Sequence, residues 1–487
     1  MNFGLASARR FRFNRRAWIL SACLASIVVC NGCGGASTQN GKELSFSRAV
    51  EASLDESWES AAEAAFNYIK KSSPDELRYD RALLMLAQAA ERLGFSYAAS
   101  LWYLDIAQAR RNIELLDKSI AGLERIIMKG PHDETTLVRG VLATADITDL
   151  SADKLAFINY LQGLYNVRDG LDAWADRQFG GIAPARSYSH RAHYIQAVRD
   201  LERKQWSQAR RRLTRLLKHA KLQEEIRNQA ELALARLSME EARYPQAIKH
   251  YKRVKRLAPS HPELLLEMAW AYYYSGAAKR ALGLLIALDA PIYMELIAPE
   301  RFLLEAFCLR QLCQFEPARI AAVRLRERYG EALSDLSSGL SPIESASLRI
   351  GARQRGGARR LWLLLERVRV EKASVDGLAI GESLSKELKR VYEVGDQEIQ
   401  QRLEQALEIE SEILADELIA AERGVQLILH ELSVGLLRGR SRPPGIESTI
   451  EPNRESEESD VSYSFVGEFW TDELDSLVVN IPDRCLK

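Results

Sequence analysis

The chain has 487 residues, 47% of them hydrophobic, enough for an extended core. Lys+Arg and Asp+Glu both number 67, which excludes the overall cationic excess of a nucleic-acid-binding protein. The balance is uneven: residues 1–32 hold Arg9, Arg10, Arg12, Arg15 and Arg16 and no acid, so the remainder is mildly acidic.

In chain order, the first predicted element is an address. The arginines form a basic region, and the 13 residues Ala17–Val29 form an apolar one, too short for an ordinary span and suited to a signal peptide. CNGCGG follows, with Gly32 before Cys33, and resembles the lipobox of bacterial lipoproteins, although Cys30 stands where leucine is usual. The resemblance implies cleavage after residue 32 and lipids on Cys33. A plain signal peptide or an uncleaved anchor is the alternative. NRRAWIL has some likeness to a twin-arginine signal, but the general secretory route is favoured. Gly34, in place of the aspartate of inner-membrane retention, leans toward the outer membrane, facing the periplasm. Residues 33–45 then read as a polar tether.

Residues 46–335 read as all-α repeats. Ala247 has Tyr244 three before, Tyr251 four after and Pro259 twelve after. Ala281 has Gly276 five before and Leu285 four after; Ala209 has Trp206 and Leu213; Ala175 has Gly170 and Phe179; Ala318 has Phe315; Ala99 has Gly94 and Tyr103. From Ala175 to Ala318 the anchors recur every 34 to 38 residues. That period implies paired antiparallel helices stacked in a solenoid, with alanine where two helices cross closely and glycine in the turn. These residues resemble the tetratricopeptide (TPR) pattern over Leu77–Tyr329, though the consensus aromatics of the first helix are mostly missing. The resemblance implies a protein-binding surface rather than catalysis.

Residues 336–440 read as a long helical hairpin. Gly357–Ala373 is amphipathic, and Leu407, Leu414, Leu418, Ala421, Val425, Ile428, Leu432 and Leu436 form a coiled-coil-like stripe. The stripe packs back on the 340–373 helix as a long antiparallel hairpin or dimerises; the first is favoured. Residues 441–460 read as a disordered linker rich in Pro, Ser and Glu. Residues 461–487 gather Tyr463, Phe465, Phe469 and Trp470 and read as a tail docked on the body around Phe302–Phe315. VGEFWTDEL and YLQGLYNVRDGLDAWA resemble stretches of myxobacterial TPR lipoproteins, some associated with gliding motility.

Cys308, Cys313 and Cys485 remain beyond the N-terminal segment. Cys308 and Cys313 point to different sides of a helix and are not expected to pair; the docked tail, and Cys313 near the end of its helix beside the turn, make a Cys313–Cys485 disulfide the expectation, with three buried or free thiols as the alternative. His190 and His193 are too few for a metal site, and Ser383 with Lys386 matches the S-x-x-K spacing without its companion motifs. There is no P-loop, GxGxxG or GxSxG, and no cofactor is implied. Arg210, Arg211, Arg212, Arg215 and Lys218, with Lys252, Arg253, Lys255 and Arg256, form a candidate basic partner face. Its partners could be an acidic protein segment, anionic lipid, lipopolysaccharide or the chain's own acidic 455–460 run; a solvated face is the plain reading.

The expected function is a lipid-anchored periplasmic scaffold, not an enzyme, that binds protein partners and no nucleic acid. The alternatives are an envelope enzyme with TPR targeting repeats, and an assembly protein that self-associates through the coil.

Overall fold

The computed structural model describes residues 35–142, 150–184, 188–254, 262–289, 298–437, 452–454 and 477–485. The fold is all-α. Helical hairpins follow one another: α1 (Gly35–Leu54) with α2 (Trp58–Lys70), α3 (Tyr79–Arg92) with α4 (Ser96–Ala109), then α5 (Ile113–Lys129) and a π-helical turn, Thr135–Leu142. Five more hairpins continue the array: α6 (Ala152–Arg168) with α7 (Asp172–Gly180), α8 (Ser189–Glu202) with α9 (Trp206–Leu217), α10 (Glu224–Glu240) with α11 (Tyr244–Tyr251), α12 (Pro262–Tyr274) with α13 (Ala278–Ala287), and α14 (Glu300–Gln311) with α15 (Phe315–Ser337). Then come α16 (Ala346–Arg353), α17 (Gly356–Ser374) and the 56-residue α18 (Glu382–Leu437).

The hairpins share one turn. In all seven a backbone N–H reaches back five residues: Ser57 to Ala52, Phe95 to Ala90, Leu171 to Asn166, Gln205 to Asp200, Arg243 to Ser238, Ala277 to Tyr272 and Gln314 to Leu309, all at 2.8–2.9 Å. The residue before each donor is left-handed, as a Schellman closure requires. Glycine fills that place at 94, 170 and 276; Glu56, Lys204, Ala242 and Cys313 fill it with φ of 55°, 59°, 55° and 54°. Gly276→Ala is therefore expected to cost about 1–2 kcal/mol. The cost is conformational, because a Cβ there would meet nothing within 4 Å. Ala242→Gly should move stability the other way, and urea titration of both variants checks the pair.

Ala99, Ala175, Ala209, Ala247, Ala281 and Ala318 are all fully buried, one on the second helix of each hairpin from α3–α4 to α14–α15. Ion pairs lock neighbouring hairpins one repeat apart: Arg125–Glu91 at 2.7 Å, Arg191–Glu225 at 2.8 Å and Arg236–Glu267 at 2.6 Å. Half-exposed pairs of this kind add well under ~1 kcal/mol each, so the buried seams carry the array.

The core runs in sections. One section holds α2 to α6 together with Leu384, Leu388, Tyr392, Ile399, Leu403 and Leu407 of α18. A second holds α12 to α15 with Leu414, Leu418, Ala421, Val425, Ile428 and Leu432 of the same helix. Between them, α8 to α10 have a core of their own around Leu213, Ile226 and Leu234. The apolar stripe is thus consumed inside the chain, but from Leu414 onward mainly against α12 to α15 rather than against the 340–373 helix expected for it, and α18 spans from one end section to the other. At 1.5 Å per residue it is about 84 Å long.

Several expectations are corrected. The tether over residues 33–45 is helical from Gly35, and Lys42 and Glu43 pair with Glu76 and Arg78 of the following segment. The array therefore starts before residue 46. The linker over residues 441–460 contains a strand, β1 (Pro452–Arg454), antiparallel to β2 (Leu477–Val479), with Asn453 opposite Val478. Backbone pairing there needs no apolar pattern in β1. Cys313 lies in the turn after α14, not on its helix. Cys33, Lys255, Arg256, Pro259 and the four tail aromatics lie outside the described residues.

Candidate interaction surfaces

The irregular repeat is where the α17–α18 hairpin docks. After α5 the chain stays extended at Gly130 instead of closing a tight turn, and Asp133 starts the π-helical segment. The Asp133 carboxylate accepts from Thr136 N–H at 3.1 Å and Thr136 Oγ1 at 2.8 Å, and takes both Arg402 guanidinium N–H groups at 2.6 and 2.8 Å. Burial opposes its ionisation, but the Arg402 bonds outweigh burial and hold Asp133 below the ordinary aspartate range. Arg367 of α17 donates to the Pro131 carbonyl at 3.0 Å.

A second junction lies nearby. Glu371 of α17 accepts from Tyr97 N–H at 2.9 Å, in the first turn of α4, and from the Tyr392 hydroxyl at 2.8 Å. It caps a helix from across the chain. Here burial wins and raises its pKa, while the two hydrogen bonds oppose the shift. Glu59 and Glu63 of α2 accept from Ala379 and Gly381 N–H, each at 3.1 Å, just before α18 begins. The apolar pocket beneath, lined by Ala62, Leu86, Phe95, Trp102 and Leu384, holds only about 10 Å³, no more than one water.

At its other end α18 is fixed by Arg355–Glu417, with bonds of 2.5 and 2.7 Å, by Arg326–Glu422 at 2.7 Å and by Arg310–Glu431. Two glycines mark the close approaches: a Cβ on Gly395 would strike Tyr97, and one on Gly424 would lie 2.9 Å from Leu303. Next to this end the α12 aromatics interlock with their neighbours. Trp270 stacks on Tyr274 at 5.5 Å, Tyr274 on Tyr244 at 5.1 Å and Tyr273 on Phe307 at 5.9 Å.

The C-terminal segment docks on α13 and on the α14–α15 turn. Val479 and Ile481 are buried in the second core section. Arg484 N–H donates to the Leu312 carbonyl at 3.1 Å, and Gln314 Nε2 donates to the Pro482 carbonyl at 2.7 Å. Cys313 and Cys485 are joined in a disulfide. Cys308 is a buried thiol whose pKa burial pushes far up, which leaves it inert.

The candidate basic residues divide. Arg210 pairs with Glu241, Arg212 with Asp200 at 2.7 Å, and Arg253 approaches Glu231 at 3.7 Å. Arg211, Arg215, Lys218 and Lys252 are exposed and form no ion pair with any described residue. His190 lies 4.8 Å from the His219 ring, and among the described residues no group of side chains could hold a metal ion. Lys386 pairs with Glu382 one turn back and Ser383 accepts from Lys70, so the S-x-x-K spacing is a helix face. Among the described residues no helix is long and apolar enough to cross a membrane.

No protein-family model matches the chain, and no curated protein matches it. Among solved structures it is similar to PilF of Pseudomonas aeruginosa, at 14% identity over 53% of this chain and 96% of that one, TM-score 0.30. It is also similar to a tetratricopeptide repeat protein from Parabacteroides merdae, at 12% identity over 72% of this chain and 99% of that one, TM-score 0.25. A third is the Cut9–Hcn1 hetero-tetramer of the APC/C, at 10% identity over 80% of this chain and 96% of that one, TM-score 0.21. The TPR-like character of the chain rests on its own hairpin geometry.

Proposed function

We propose that the chain is a scaffold that binds protein partners along its repeat array, tethered to a membrane through a lipid on Cys33 and facing the periplasm. One observation carries the binding reading: the array already holds an amphipathic helix, α18, by an apolar stripe, close-packed glycines and flanking arginine–carboxylate pairs. Surfaces of stacked helical hairpins recognise helices and extended segments by these same contacts. α18 is fixed at the two end sections, and the α8–α10 section between them is the part offered to a partner. The tether reading is supported by the basic and apolar segments before Cys33 and by the small residue preceding it.

The test combines lipid labelling with capture. Cells expressing the intact chain or Cys33→Ala receive an alkyne-bearing fatty acid, and the protein is then crosslinked and isolated. The intact chain should carry the label, sediment with membranes and bring down a defined envelope protein in comparable amount. Cys33→Ala should lose label and membrane association together. An unlabelled intact chain overturns the tether. Glycan material in place of a stoichiometric protein overturns the protein scaffold and favours a glycan-acting role.

A further inference from the structure

Charge is segregated on the middle of the array. The second helices of three consecutive hairpins, α9, α11 and α13, contain no aspartate or glutamate. The acids of these hairpins lie on the first helices, such as Glu224, Glu225 and Glu231 on α10 and Glu263 and Glu267 on α12. On α9, α11 and the turns that follow them, Arg211, Arg215, Lys218, Lys221, Lys249 and Lys252 are exposed and form no ion pair with any described residue. The local field is felt by His193: burial lowers its pKa most, and His190, Arg212, His219 and Arg215 lower it further.

A polyanion of matching size is part of the same chain. β1 ends at Arg454, β2 begins at Leu477, and these two residues pair with each other. Residues 455–476 between them carry eight acids (Glu455, Glu457, Glu458, Asp460, Glu468, Asp472, Glu473 and Asp475) and no base. β2 lies against α13, and Cys485 is fastened to Cys313 just beyond it. Both ends of the acidic segment are therefore held beside the third of the three acid-free helices. Packed helices lie about 10 Å apart; α11 and α13 both pack on α12, and α9 and α11 both pack on α10, so α11 lies at most about 20 Å from α13 and α9 at most about 20 Å from α11. A segment tied at both ends can extend roughly half its length, about 35 Å here, which carries it across α11 and toward α9.

We infer that residues 455–476 dock on the basic face of α9 and α11, an internal strap held by charge complementarity. The inference does not depend on the membrane tether. It concerns the second helices, and a partner on the first helices α8 and α10 would leave it intact.

Zero-length carboxyl–amine coupling on the full chain tests it, read by peptide mapping of the monomer fraction. Acids of residues 455–476 should couple to Lys218, Lys221, Lys249 or Lys252. The coupling should fade as added salt shortens the screening length from about 8 Å toward 3 Å. A second readout is chymotryptic cleavage at Tyr463, Phe465, Phe469 and Trp470. The variant Arg211→Glu, Arg215→Glu, Lys252→Glu alters only exposed side chains. It should be cleaved there about ten times faster than the unaltered chain, with its helix content unchanged. Equal cleavage rates with no coupling overturn the proposal, as does coupling found only in a dimer fraction. Vesicles containing a third anionic lipid identify the rival occupant. If they bind the basic face as tightly with residues 455–476 present as with the segment deleted, that face belongs to lipid and the strap is wrong.

Discussion

Asp133→Ala is expected to cost about 3–5 kcal/mol and to loosen the α17–α18 hairpin from the N-terminal repeats. The carboxylate side chain is 1% exposed and its Arg402 partner 22%, so the pair lies in the regime where removing one partner strands the other charge away from water. Arg402→Ala should cost about as much, because Asp133 would keep only Thr136. The double variant should cost clearly less than the two losses added together, since the stranded charge disappears with its partner. Urea titrations of the four proteins decide this; strictly additive losses contradict a buried pair. Acid supplies a second check. Because the folded pKa of Asp133 is depressed, its stabilisation is present above the ordinary aspartate value of about 3.9 and is lost as pH falls through the folded value below it. The stability gap between the unaltered chain and Asp133→Asn should be full at pH 7 and close in that acid window. A gap that stays constant down to pH 2 shows that ionisation of Asp133 is not what holds the junction.

Opening the Cys313–Cys485 bond is the second large effect. The two residues are 172 apart in sequence, and closing so long a loop in the unfolded chain is worth about 5 kcal/mol on the chain-entropy account. Cys485→Ser should lower the unfolding midpoint, and reductant should do the same to the unaltered chain while leaving the variant unmoved. The loss should be concentrated in α13 and the α14–α15 turn, where Val479, Ile481, Pro482 and Arg484 make their contacts. Peptide mapping without reductant is the direct control. Cys485 should appear linked to Cys313, with Cys308 free and alkylated only after unfolding; an unlinked Cys485 removes the basis for the expected loss.

The parts of the fold that were legible in the sequence are those whose residue type has one physical reason. Gly94, Gly170 and Gly276 announced left-handed turns, and the six alanines announced the helix crossings. The turns at Glu56, Lys204, Ala242 and Cys313 gave no such signal, because ordinary residues adopt the same conformation there at a small cost. The repeat between Ala99 and Ala175 was missed because α5 and the π-helical segment do not close on a tight turn, so no anchor marks them.

Long-range charge contacts were the least legible. Asp133 and Arg402 are 269 residues apart, and Tyr97 and Glu371 are 274 apart, in a chain with 67 acids and 67 strong bases. Gly395 and Gly424 carry a signal of their own in the sequence. Glycine inside an otherwise strong helix marks a close approach, and each lies where α18 meets the array. The polar stretch before residue 46 misled in the other direction. Its composition suits a tether, but Lys42 and Glu43 find partners at Glu76 and Arg78, which only the folded hairpin brings near. The basic face was half legible: the cations were visible in sequence, but not which of them Glu241 and Asp200 neutralise.

The central claim is that α18 is a built-in brace, held by both end sections of the array. Amide hydrogen exchange on the unaltered chain under native conditions tests it most directly. The account predicts that amides from Ile399 to Leu432 exchange as slowly as those of α12 and α14, in one cooperative unit with the repeats they contact. Exchange of α18 at the rate of an exposed helix, while α12 and α14 stay protected, would show that the helix is not held and that the brace does not exist.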